Sequence, residues 1–157
     1  MEQMTIGKRF TLICPEGFRT LSEEEKDRVH AASGADSLYL MREADRMIVS
    51  AGWKEVNALA GILLHVFSPV ASMEAAVNQS MAGYGFRRET RLTRQIAGQK
   101  AEGFRYTYTA GDNPMVGESY VIRQGRSLTF FHAYFAAALR DQALVRWNQL
   151  LDAVEAM

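Results

Sequence analysis

The chain has 157 residues, 48% of them hydrophobic and 23% charged, an ordinary globular composition that excludes a disordered chain. Eighteen basic residues balance eighteen acidic ones, so no overall field draws the molecule to nucleic acid or to an anionic membrane. The single cysteine, Cys14, excludes a disulfide within the chain and reads as a reducing, cytoplasmic setting.

The length suits a single domain over residues 1–157, large enough to bury roughly two thirds of its unfolded surface without staples. The first residues lack the apolar run of a signal peptide. Val56–Val70, the longest apolar stretch, is interrupted by Asn57, Gly61, His65, Ser68 and Pro69, and is too short to span a bilayer. No membrane insertion is expected.

In chain order, Lys8–Cys14 alternates as a first strand and stops at Pro15-Glu16-Gly17. Ser22-Glu23-Glu24-Glu25 is a capping box opening a short polar helix, with Gly34 as its stop. Two strands follow, Ser37–Arg42 and Arg46–Trp53, joined by Glu43-Ala44-Asp45; Met47, Val49, Ala51 and Trp53 share a face. Val56–Val66 reads as a short helix weakened by Gly61. Ser72 caps a clearer helix, lined by Met73, Ala76, Val77 and Tyr84.

The second half is a run of strands: Phe86–Ile96, Phe104–Thr109, Val116–Arg123 and Ser127–Phe135. Gly111-Asp112-Asn113-Pro114 and Gln124-Gly125 supply turns. A closing helix from about Asp141 repeats Leu144, Trp147, Leu151 and Val154 at three- and four-residue steps. Strands adjacent in sequence with tight turns predict an α+β fold, an antiparallel sheet covered by helices.

Candidate chemistry is sparse. His30, His65 and His132 stand at no metal-ligand spacing, and no dinucleotide, phosphate-loop or nucleophile-elbow motif is present, so neither cofactor nor metal is expected. Arg87, Arg88, Arg91 and Arg94 are the densest basic run. With Glu89 among them, and Arg87, Glu89, Arg91, Thr93 and Gln95 on one polar face, they read as a solvated strand and not a nucleic-acid site. Glu118 is expected to pair with an arginine. If the late hairpins have even-length loops, Tyr106, Tyr108, Ser119, Phe130, His132 and Tyr134 fall on one face. That face is an aromatic side of the core with hydrogen-bonded polar tips, a ligand pocket, or an acid–base cluster.

The element order resembles the superfamily of photosystem II PsbP, the Ran-binding Mog proteins and the bacterial DcrB-like domains. The residues that carry it are Phe10-Thr11-Leu12-Ile13-Cys14-Pro15-Glu16-Gly17-Phe18, then Ile96-Ala97-Gly98-Gln99-Lys100-Ala101 followed by Tyr106-Thr107-Tyr108. Phe131-His132-Ala133-Tyr134 before a helix with Trp147 and Leu151 completes it. The resemblance implies a helix-covered sheet, no enzymatic activity, and binding of other proteins: a photosystem, a small GTPase, or secreted toxins.

The reading that follows is a non-catalytic protein-interaction domain, adaptor or chaperone-like, with an unidentified protein partner and a homo-oligomer as one form of it. Leu64 and Phe67 lie off the stripe Leu59–Ile62–Leu63–Val66 and are the expected contact. Two alternatives stay open: a small-molecule or lipid binder using Tyr106, Tyr108, Phe130, His132 and Tyr134, and an enzyme using His132 with a Tyr hydroxyl.

Overall fold

The computed structural model describes residues 3–25, 38–59 and 68–157. In chain order the described strands are β1 (Gln3–Ile6), β2 (Phe10–Ile13), β3 (Arg19–Thr20), β4 (Leu38–Arg42) and β5 (Met47–Glu55). The helix α1 (Pro69–Ser80) precedes β6 (Arg87–Ile96), β7 (Gln99–Ala110), β8 (Asn113–Gln124) and β9 (Ser127–Ala136). The helix α2 (Arg140–Asp152) and β10 (Glu155–Ala156) complete the chain. Seven strands make one sheet in the order β3-β4-β5-β9-β8-β7-β6, and β1, β2 and β10 make a second small one with β2 central. Every pairing is antiparallel. The expected α+β architecture, an antiparallel sheet covered by helices, is the one observed.

The late strands are longer than their apolar alternation suggests because their loops are as short as loops can be. Ala97–Gly98, Gly111–Asp112 and Gly125–Arg126 each leave two residues between paired strand ends. Ala97 and Gly98 have φ of 51° and 78°, the left-handed pair whose twist matches that of the flanking strands. The expected turns at Gly111–Pro114 and Gln124-Gly125 are therefore corrected: Asn113 and Pro114 belong to β8, and the last loop sits one residue later. Pro114 is tolerated because it lies before Met115, where β8 first pairs with β9; it needs no second ladder donor there.

Each face of the large sheet carries its own core. On one, Phe131, Ala133 and Phe135 of β9 meet Trp147, Leu150 and Leu151 of α2, with Ile6, Phe10 and Leu12 of the small sheet closing the rest. On the other, Val70, Met73 and Val77 of α1 cover Phe104, Tyr106, Val121 and Leu128. Trp147 is fully buried, and its indole Nε1 donates to Glu118 Oε1 at 3.0 Å. Arg105 Nε donates to the other oxygen of Glu118 at 2.6 Å. Glu118 thus has the expected arginine partner, and it also fixes the C-terminal helix by its indole, a charge-assisted contact inside the core.

Several local expectations are overturned. The first strand is one half of a hairpin: β1 gives no signal of its own, because four residues with two apolar ones, Met4 and Ile6, alternate too briefly to register. Ser68, not Ser72, caps α1, its hydroxyl accepting from Ala71 N at 3.3 Å with Pro69 in the first helical position. That Ser-Pro pair is a helix start, although it reads equally as an interruption. Ala76 and Tyr84 are exposed, so the buried stripe of α1 is Val70, Met73 and Val77. In β6 the register shifts between Arg88 and Thr90, a bulge that reverses which side chains face which way. Arg88 and Arg91 therefore share a side, both meeting Glu74 of α1, while Arg94 points the other way to Asp152 of α2. The expected single face of Arg87, Glu89 and Arg91 is broken by that bulge. Phe86 packs with Phe104 and Tyr106, opposite to Leu92 and Ile96.

Ser22 and Glu25 form the reciprocal capping box, with Ser22 N donating to Glu25 Oε1 at 3.0 Å and Glu25 N to Ser22 Oγ at 3.2 Å. The body of that expected helix and most of Val56–Val66 lie outside the described residues.

Candidate functional site

Two-residue loops preserve parity from strand to strand, so β7, β8 and β9 present matched rows on the α1 side. Tyr106 stands opposite Gly117 and Phe104 opposite Ser119; Gly117 stands opposite Tyr134 and Ser119 opposite His132. The structure therefore brings Tyr106, Tyr108, Ser119, Phe130, His132 and Tyr134 to one face. β8 contributes its smallest side chains there, Gly117 and Ser119, between two aromatic rows.

The row on β9 is a ladder. The rings of Phe130, His132 and Tyr134 follow one another at 6.3 Å between centroids, tilted by 5° and 16°. On β7, Phe104, Tyr106 and Tyr108 are spaced at 5.5 and 5.8 Å. The Tyr106 ring leans across the floor: a Cβ at Gly117 would lie 2.3 Å from its Cζ. Tyr106 is wholly buried, whereas Tyr108, Phe130, His132 and Tyr134 are half-buried.

Polar tips meet at the centre. Ser119 Oγ and His132 Nδ1 share a hydrogen bond of 2.7 Å. The buried Tyr106 hydroxyl lies near the Ser119 and Tyr134 hydroxyls but closes a hydrogen bond of good geometry with neither. Burial governs the protonation of the whole group. It lowers the His132 pKa to about 4, because the imidazolium would lose its hydration. It raises Tyr106, Tyr108 and Tyr134 above the usual phenol value by the same penalty on the charged form. All four are uncharged at neutral pH. Lys54 marks the Phe130 end of the ladder, its Nζ 5.7 Å from that ring.

Two further neighbours come from strands that sequence spacing does not connect to the site. Ser50 of β5 is buried opposite His132, and Tyr39 of β4 stands opposite Ser50 and adds to the raised pKa of Tyr134. β5 joins β9 across nearly half of the chain, a pairing that short-range turn signals do not encode. Leu64, Phe67, His30 and His65 lie outside the described residues. Among the described residues, no group of three or more His, Cys, Asp or Glu side chains is placed to hold a metal ion. Nor is any helix among them long and apolar enough to cross a membrane.

No protein family and no curated protein matches the sequence. Solved structures do match the fold. The solution structure of cyanobacterial PsbP (CyanoP) from Synechocystis sp. PCC 6803 is similar with a TM-score of 0.68 at 14% identity, covering 99% of this chain and 92% of that one. LpqN of Mycobacterium tuberculosis, involved in cell envelope biogenesis, is similar with a TM-score of 0.64 at 12% identity, covering 94% and 83%. A Pseudomonas aeruginosa protein of unknown function, PA94, is similar with a TM-score of 0.51 at 12% identity over 97% and 94%. Almost the whole of this chain, with its seven-stranded sheet and flanking helices, thus has the PsbP/Mog-like fold.

Proposed function

We propose that this is a non-catalytic binding domain, and that its working surface is the aromatic tract of β7, β8 and β9, suited to a small, largely apolar molecule. The observation that carries this is the half-buried Phe130–His132–Tyr134 ladder beside Ser119: aromatic surface with a few convergent polar groups, the usual make-up of a ligand site.

The same geometry argues against the acid–base alternative. A His132 of pKa about 4 is too weak a base to activate Ser119 near neutral pH, where general bases work best with a pKa close to the ambient value. Among the described residues, no carboxylate contacts the ring to orient it or to stabilise an imidazolium, as a nucleophilic triad requires.

The adaptor reading, with a protein partner or a second copy meeting Leu64 and Phe67, is the competitor. Aromatic-residue NMR separates the two. Saturable shifts confined to Tyr108, Phe130, His132 and Tyr134 on titration with small aromatic probes support the proposal. Silence of those signals, with self-association lost in the Leu64→Asp, Phe67→Asp double variant at unchanged thermal stability, would hand the function to the protein interface. Cytoplasmic residence, read from the lone Cys14, is likewise proposed; since LpqN is described as involved in the cell envelope, fractionation of tagged protein is the check.

A further inference from the structure

Resting on that reading, we infer that the ligand is an uncharged molecule carrying a hydrogen-bond acceptor such as a carbonyl oxygen, and that the Tyr106 hydroxyl is the group that selects it. Ser119 and His132 satisfy one another at 2.7 Å through Nδ1. The Tyr106 hydroxyl, buried with its residue at 0% exposure, is left without a well-formed bond. A buried hydroxyl in that condition gains from any acceptor brought to it.

Charge decides the class of ligand. The groups that act on Tyr106 are Tyr108, Ser119 and Tyr134, and burial alone acts on His132. None of them carries a charge at neutral pH. Among the described residues, the charged side chains on this side of the sheet are engaged at its margins: Glu74 of α1 with Arg88 and Arg91, Glu102 with Lys100, Arg123 on the Gly125 carbonyl, and Lys54 over the Phe130 ring. A carboxylate or ammonium placed at Ser119 would lose its hydration with no counterion among the described residues at the centre of the tract to offset the loss, whereas a neutral carbonyl would not. Gly117 completes the arrangement, because only a residue without a Cβ lets the Tyr106 ring cross the floor and deliver its hydroxyl between β8 and β9.

Three probes of one size test this: acetophenone, toluene and benzoate, each titrated into the whole protein and followed by the His132 and Tyr134 ring signals. Acetophenone should bind about two- to tenfold tighter than toluene, the range that one neutral hydrogen bond supports, and benzoate should bind weakest. In Tyr106→Phe, which keeps the ring that fills the floor, acetophenone should fall to the affinity of toluene while toluene is unchanged. Benzoate binding as tightly as acetophenone, or a preference that survives Tyr106→Phe, would overturn the inference and leave the tract a binding surface. If no probe moves either signal, the tract is not a small-molecule site, and both readings fall.

Discussion

His132 is a neutral imidazole in a place that resists protonation, and this sets a signature that can be measured. Its pKa is about 4 in the folded chain against an ordinary 6.5, so between those values the unfolded chain binds protons that the folded one refuses. Stability should therefore be at its full value above pH 6.5 and fall as pH drops toward 4, by about 3 kcal/mol in all. Carboxylates held low by arginines, such as Glu25 and Glu89, act only below their ordinary range near 4.5. Urea midpoints taken from pH 7.5 to 4.5 should slope in the native protein and flatten in His132→Asn. Gly117 is the second residue whose role is specific. Gly117→Ala would place a methyl 2.3 Å from the Tyr106 ring, an overpacking that should cost about 1–3 kcal/mol. A melting temperature unchanged by that substitution would mean the ring is free to leave the floor.

Helix ends and helix faces make separate predictions at the scale of elements. Ser68→Ala removes the side-chain cap of α1 and should cost about 1 kcal/mol, whereas Ser72→Ala, exposed on the same helix, should stay within ~0.5 kcal/mol. Equal effects in denaturant titrations would return the cap to Ser72. Trp147→Ala empties the centre of the α2 interface and leaves Glu118 Oε1 with only the long contact from the Tyr120 hydroxyl, at 3.5 Å; a loss of about 3–5 kcal/mol is expected, read as a shifted denaturant midpoint.

These elements also show which parts of the fold are legible in sequence. The period of α2 and the parity of β7, β8 and β9 follow from local spacing, so the amino-acid pattern alone gives the burial of Trp147 and the shared face of Tyr106, Ser119 and His132. What escapes is of two kinds. Strands of two to four residues, β1, β3 and β10, are held by their partners and carry almost no pattern of their own. The bulge at Arg88–Thr90 leaves the composition untouched while reversing every later side chain. The site is legible as a set of residues but not as an arrangement: the lean of Tyr106 across Gly117, and the arrival of Ser50 beside His132, depend on contacts between strands far apart in the chain.

Across the whole molecule, one sheet supports two cores that share no side chains, one under α1 and one under α2 and the small sheet. This separates the duties of the two faces. The α2 face carries the largest fully buried residue, Trp147, and the carboxylate that pins it. The α1 face holds the half-buried aromatic tract beside a smaller core of its own. The small sheet adds a constraint of a different sort. β2 is flanked by β1 on one side and by β10 on the other, Glu155 standing opposite Thr11 and Met157 N donating to Arg9 O at 2.9 Å. A ribosome delivers residues 10–13 near the beginning of synthesis of this domain and residues 155–157 after everything between them. One edge of β2 must therefore wait for its β10 partner while about 140 residues are made, on the order of ten seconds or more at ordinary elongation rates. In order of synthesis the β2 edge is closed last, and nascent chains arrested before Trp147 should leave that edge open to chaperones and proteases.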